Sequence, residues 1–226
     1  MTSILAIDTS SEYCSVALWQ GRAIQQKCLL AERAHAQFIL PMLDELLSEN
    51  NITLSAIDYL AFGAGPGSFT GVRIAVSLLQ GLGLGLNLPI VPISTLAAIA
   101  QQAYREYGAK HCMTALDARM SEIYLGYYQY HDSGLMQLVQ AEQVVNPAQI
   151  IFPESGQWFG AGPGFEVYAE MITQQATKCL VGMHKGCYPQ AQYIAELAAH
   201  SIKENRFVSV DHLEPIYLRE PSYQTV

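Results

Sequence analysis

The chain has 226 residues, of which 50% are hydrophobic and 14% charged, with a formal net charge of −8 at pH 7. That length suits one large domain or two small ones, and the charged share lies well below the roughly 25% usual in soluble domains, which fits either a tightly packed monomer or a surface partly covered by a partner. The twelve Lys and Arg residues are scattered with no run of three, so the chain as a whole is a poor match for a phosphate backbone, and any nucleic-acid contact is expected to lie mainly with another subunit.

Ser3–Ile7 reads as a short apolar strand and Tyr13–Trp19 as its hairpin partner, joined by Asp8-Thr9-Ser10-Ser11, whose side chains suit local backbone hydrogen bonds. Ala23–Leu30 predicts a third strand. From Ala34 to Ser48, apolar residues at Phe38, Ile39, Met42, Leu43, Leu46 and Leu47 mark one face of a helix, which Pro41 is expected to kink or restart. Asp58–Phe62 (strand), Thr70–Asn87 (long helix), Pro89–Ile93 (strand) and Thr95–Tyr107 (helix) follow. Beyond them, Cys112–Leu116 and Ile123–Tyr130 pair as strands, Gly134–Val139 adds a third, and Trp158–Phe159 is a short one. Helices are expected over Glu166–Gln174 and Ala191–Asn205.

The hexapeptide Phe-Gly-Ala-Gly-Pro-Gly occurs twice, at Phe62–Gly67 and Phe159–Gly164. Each copy follows an apolar run and leads into a helix. Each also has an upstream strand ending in aspartate, Ala6-Ile7-Asp8 in one case and Ala115-Leu116-Asp117 in the other. Two copies so far apart indicate a duplicated domain and not a solenoid. The expected architecture is α/β with two similar lobes, residues 1–107 and 108–226, meeting near Tyr107–Ala109 without a flexible linker.

Chemistry-bearing motifs are sparse. A glycine-rich loop opening a helix can bind an anion through free N–H groups, but Pro66 and Pro163 each remove one donor. Neither copy has the Lys-Ser/Thr ending of a P-loop or the spacing of a dinucleotide fingerprint. The plainer reading is sharp turning and close packing. No G-x-S-x-G elbow is present, and the histidines at 111, 131, 184, 200 and 212 are isolated. Five cysteines without CxxC spacing fit free thiols in a reducing cytosol. The absence of a basic, then apolar, opening segment predicts no signal peptide and a cytoplasmic location. The most membrane-like stretch, Val72–Ile93, reads better as a buried helix plus a strand, since it holds Arg73, Gln80, Asn87, two prolines and three glycines.

The helix after Gly67 carries a sharper signal. From Ile74 to Leu88 it has no charged residue, so burial on more than one side is expected. Ser77, Gly81 and Gly85 fall at i, i+4, i+8 and leave a smooth face for a neighbouring helix. Each glycine costs about 1 kcal/mol of helix propensity against alanine, so close packing is the expected compensation. That neighbour is either the Phe38–Leu47 helix or another chain.

Four segments together resemble the bacterial TsaB (YeaZ) family: Ile4-Leu5-Ala6-Ile7-Asp8-Thr9-Ser10; Gly65-Pro66-Gly67-Ser68-Phe69-Thr70-Gly71-Val72-Arg73; Leu116-Asp117-Ala118-Arg119 with Glu122 and Tyr124; and Glu214-Pro215-Ile216-Tyr217-Leu218-Arg219. They come in the family's order and span nearly the whole chain. The resemblance implies two actin-like (ASKHA, ribonuclease-H-like) lobes, each a mixed β-sheet flanked by helices. It also implies a non-catalytic subunit, without a cofactor, of the machinery that makes N6-threonylcarbamoyladenosine at position 37 of ANN-decoding tRNAs. Its partners would be TsaD, the catalytic paralogue, and TsaE, an ATPase, with tRNA met only through the complex and a homodimer formed in isolation.

On that resemblance, Asp8, Thr9 and Ser10 sit where actin-like enzymes hold phosphates and magnesium. Asp8 would bind metal-bound water and the two hydroxyls would face phosphate, or the turn simply stabilises itself. Asp117 is the counterpart in the second lobe, but Ala118-Arg119 replaces the hydroxyl pair. TsaD-type enzymes carry metal-binding histidines at i, i+4; here His35 is followed four residues later by Ile39, so one imidazole is left. The implied partner surface comprises His35, Phe38, Met42, Leu46, Arg73, Val76, Ser77, Gln80, Gly81 and Leu84. Two rivals stay open: an active actin-like ATPase or kinase using Asp8 and Asp117, and, less favoured for want of paired histidines, a metallopeptidase.

Overall fold

The computed structural model describes residues 2–21, 23–176 and 178–219. Strands β1 (Ser3–Asp8), β2 (Tyr13–Gln20) and β3 (Ala23–Leu30) lead to helix α1 (His35–Glu49). Then come β4 (Tyr59–Gly65), α2 (Phe69–Leu86), β5 (Ile90–Ser94) and α3 (Thr95–Tyr107). The second half runs β6 (His111–Arg119), β7 (Glu122–Tyr130), β8 (Met136–Val145), β9 (Trp158–Ala161), α4 (Pro163–Val167), α5 (Ala169–Gln175), β10 (Leu180–His184) and α6 (Ala191–Lys203).

The strands form two five-stranded sheets, ordered β3-β2-β1-β4-β5 and β8-β7-β6-β9-β10. In each, the first three strands in sequence pair antiparallel, and the last two join parallel to the first. The duplication expected from the repeated hexapeptide is thus present strand for strand. Both copies end the fourth strand of their sheet, and Gly65 and Gly162 take the same left-handed backbone, with φ of +107° and +102°. That conformation is open to glycine at no steric cost.

The central strands are buried on both faces, with alternate residues in different cores. Leu5 and Ile7 of β1 pack with α1 and α2 through Met42, Leu43, Leu46, Val72, Val76 and Leu79. Ile4 and Ala6 pack instead against α6 through Ala191, Ile194, Ala195 and Ala198. The second sheet repeats the plan: Cys112 and Leu116 of β6 meet Leu96, Ile99, Ala100 and Ala103 of α3, while Met113 and Ala115 meet Phe165 and Ile172. The closing helix of each half therefore lies on the other half's sheet.

Helix ends follow local chemistry. Ser68 caps α2 by accepting from Gly71 N at 3.2 Å, and Ser94 caps α3 by accepting from Ala97 N at 3.3 Å. Asn87 and Gly108, both left-handed, close the two helices. Pro41 does not restart α1: the helix runs unbroken through it, with the ring on the exposed side, away from the core face. The helix expected over Glu166–Gln174 is divided at Tyr168 into α4 and α5.

After α6 the chain returns to the first lobe. Val208 and Ile90 exchange backbone hydrogen bonds of 2.8 and 2.9 Å, Leu213 enters the core under α1 and α2, and Ile216 N donates to Ala64 O at 2.7 Å. Arg219 then pairs with Glu122 at the start of β7, so the Glu214–Arg219 segment spans from one lobe to the other.

Candidate functional site

Asp8, the last residue of β1, and Thr9 after it are fully buried, and Ser10 is 2% exposed. The Asp8 carboxylate accepts from Ser10 N at 3.1 Å and from Ser10 Oγ at 2.9–3.0 Å. Burial pushes its pKa up to about 7, against the downward pull of those two bonds. Thr9 Oγ1 donates to Gly71 O at 2.7 Å, and Ser10 O accepts from Ser68 N at 2.7 Å. The side chains of Asp8, Thr9 and Ser10 are thus all engaged with the protein itself.

The glycine loop closes this turn. A Cβ on Gly67 would lie 2.6 Å from Ser10 O, one on Gly71 1.9 Å from Thr9 O, and one on Gly63 1.9 Å from Asp8 Oδ2. Thr95, at the start of α3, donates its hydroxyl to Pro66 O and lines the same spot. The glycines serve close approach of backbone to backbone, chiefly onto the turn after β1. In the second copy, Gly162 and Gly164 stand against Ala115 in the same manner.

Asp117 occupies the matching strand in different surroundings. Its Oδ1 accepts from Arg119 N at 2.9 Å and from Tyr168 OH at 3.2 Å, and its Oδ2 pairs with Arg119 at 3.1 Å. Among the described residues, no three His, Cys, Asp or Glu side chains are grouped to hold a metal ion. His35 is 6% exposed and its Nε2 donates to Ser11 O at 2.9 Å, so it faces the turn from the start of α1.

The ten residues of the expected partner surface divide by burial. His35, Met42, Leu46 and Val76 lie in the chain's own interior, while Phe38, Arg73, Ser77, Gln80, Gly81 and Leu84 are exposed. Helix α2 is not buried on more than one side, contrary to its all-round apolar sequence. It buries Gly71, Val72, Ala75, Val76, Leu79 and Gly83, half-buries Ile74, Leu78, Leu82 and Leu86, and leaves Arg73, Ser77, Gln80, Gly81, Leu84 and Gly85 exposed. At Gly81 and Gly85 a Cβ would meet nothing within 4 Å, and Leu84 between them is 68% exposed. Helix α1 does not cover this stripe. At the helix start, Arg73 lies over the Phe69 ring at 3.2 Å and near the Tyr217 ring at 5.5 Å. Sequence reasoning missed Gly63, Thr95 and Tyr217 as neighbours of these groups. Gly63 carried a signal through its place in the repeated hexapeptide, and Tyr217 through its place in the Glu214–Arg219 segment.

Two sheets of one strand order, with closing helices exchanged and a closed turn after the first strand, define an actin-like two-lobe protein. The family model described as "TsaD: tRNA N6-adenosine threonylcarbamoyltransferase" matches residues 29–225. The chain is 39% identical to the tRNA threonylcarbamoyladenosine biosynthesis protein TsaB of Escherichia coli K12, covering 96% of this chain and 94% of that one. It is 36% identical to the TsaB of Haemophilus influenzae, covering 96% and 93%. The solved structure of YeaZ from Pseudomonas aeruginosa superposes with a TM-score of 0.91 at 41% identity, covering 96% of this chain and all of that one. The chain belongs to the TsaB (YeaZ) family.

Proposed function

We propose that this protein acts in threonylcarbamoyladenosine biosynthesis as a non-catalytic scaffold that binds and supports TsaD. The observation that carries the reading is the uncovered stripe of α2. Ser77, Gly81 and Gly85 offer a groove of small residues, bordered by Leu84 and Gln80, with no charge to desolvate. Two helices of a paralogue would pack there closely, because no Cβ at Gly81 or Gly85 limits the approach. Phe38 of α1 and Phe69 with Arg73 of α2 would border the contact as larger anchors. The closed Asp8 turn supports the non-catalytic part of the reading. TsaE joins as a further subunit, tRNA is met through the assembly, and in the absence of TsaD the same apolar stripe serves a homodimer.

The test is capture by TsaD from the same organism. Wild-type chain binds and Gly81→Leu does not, while Gly81→Leu alone keeps its circular dichroism and unfolds no earlier than wild type, since the new side chain points into open space. Equal capture of both would remove the interface assignment.

A further inference from the structure

The turn that follows β1 is bonded to the first turns of both helices that carry the proposed docking face. On the α2 side, Thr9 Oγ1 donates to Gly71 O at 2.7 Å and Ser68 N donates to Ser10 O at 2.7 Å. On the α1 side, His35 Nε2 donates to Ser11 O at 2.9 Å. The next carbonyl, that of Glu12, accepts from Ala31 N at 2.9 Å, in the connection that enters α1. Three consecutive residues, Thr9, Ser10 and Ser11, thus tie two helices that are 34 residues apart at their first positions (His35 and Phe69).

The remaining contact between α1 and α2 is apolar, through residues such as Met42, Leu46, Val72 and Val76. Apolar packing is non-directional and by itself leaves the register of one helix on another less sharply set. Hydrogen bonds with fixed partners do not. Thr9 and His35 are buried, so no water replaces a lost bond. The anchors of the docking face sit on the turns so held: Phe38 on the first turn of α1, Phe69 and Arg73 at the start of α2.

We infer that Thr9, Ser10, Ser11 and His35 form a positioning clamp that sets the spacing of α1 against α2. The turn that would face phosphate in an actin-like enzyme thereby shapes a protein-binding surface from beneath. This rests on the reading that the α1–α2 face binds TsaD.

Thr9→Val removes the hydroxyl at constant shape, His35→Leu removes the ring donor, and Thr9→Ser restores a hydroxyl. Region-resolved amide hydrogen exchange on the isolated chain, and the affinity for TsaD of the same organism, are measured for each. For Thr9→Val and for His35→Leu, exchange over residues 35–43 and 69–79 rises roughly tenfold while α6 keeps its wild-type rates, and TsaD binding weakens roughly tenfold. Thr9→Ser returns both readouts towards wild type. Exchange that rises equally in α6, or does not rise at all, overturns the clamp, as does unchanged TsaD affinity in a variant whose helices exchange faster. Should wild type itself fail to bind TsaD, the docking reading falls while the exchange pattern still decides whether the clamp exists. Should Thr9→Val not fold, His35→Leu carries the same two measurements.

Discussion

Gly63 stands so close to Asp8 that a Cβ there would lie 1.9 Å from Asp8 Oδ2, with Thr95 Cγ2 3.1 Å away on the other side. A methyl group at 63 has to displace a buried carboxyl that is itself held by Ser10. Gly63→Ala is expected to destabilise the chain by about 1–3 kcal/mol, the range for overpacking a filled interior. In an Asp8→Ala background the same substitution costs much less, and a double-mutant cycle by urea unfolding reads the coupling. Additive effects would show that the two residues do not press on each other.

The buried carboxyl also sets a pH dependence of unusual sign. Asp8 titrates at 3.8 in its reference state and at about 7 in the fold, because burial disfavours its charge. Between those values the folded chain holds a proton that the unfolded chain has released, so stability falls as pH rises from about 4 to about 7 and is level above that. The full effect of Asp8 is on the order of 4 kcal/mol. Asp8→Asn removes this slope and is more stable than wild type at pH 8. Urea unfolding at a series of pH values checks it, and identical slopes for the two proteins would exonerate Asp8.

Gly81 and Gly85 are exposed in the C-terminal half of α2, Gly85 in its last turn, with open space where a side chain would be. Gly81→Ala stabilises the isolated chain by about 1 kcal/mol through helix propensity alone, and Gly85→Ala by less, since it lies at the helix end. Gly83→Ala gains nothing comparable, because its Cβ would come within 3.1 Å of Ile90 Cδ1. The first two variants are also expected to bind TsaD less well than wild type. Stability gained with undiminished capture would mean that the glycines serve some other purpose.

Calorimetry with ATP and magnesium addresses the kinase-like rival. With Asp8 and Thr9 fully buried and engaged with Ser10 and Gly71, the isolated chain is expected to give no binding heat. Binding tighter than about 10 μM that is lost in Asp8→Ala would favour the rival.

Much of this molecule was legible before any coordinates. Tyr13–Trp19, Ala23–Leu30 and Thr95–Tyr107 announced their elements through period and bounding turn residues, and the repeated hexapeptide announced the duplication. β10 went unread because Leu180–His184 is short, half-exposed and interrupted by Gly182, so it has no clean alternation. Pro41 was over-read, since its position on the exposed side of α1 is a tertiary fact. The all-apolar sequence of α2 was read as double-sided burial; composition alone cannot separate a helix covered by its own chain from one left bare. The pairing of Thr9 with Gly71 and of His35 with Ser11 joins residues 62 and 24 positions apart, and no local pattern encodes such contacts.

The exchange of closing helices has a consequence for how this protein is made. One face of the first sheet, with Ile4, Ala6, Ala17 and Ala61, is covered by α6, which ends at Lys203. As the nascent chain leaves the ribosome, that apolar face lacks this cover until residues 191–203 have been made. Domains usually fold in order of synthesis; here the amino-terminal half cannot finish until the carboxy-terminal half is complete. Ribosome-bound chains stalled before residue 190 would therefore be ready clients for chaperones, and the two lobes would reach their final packing together.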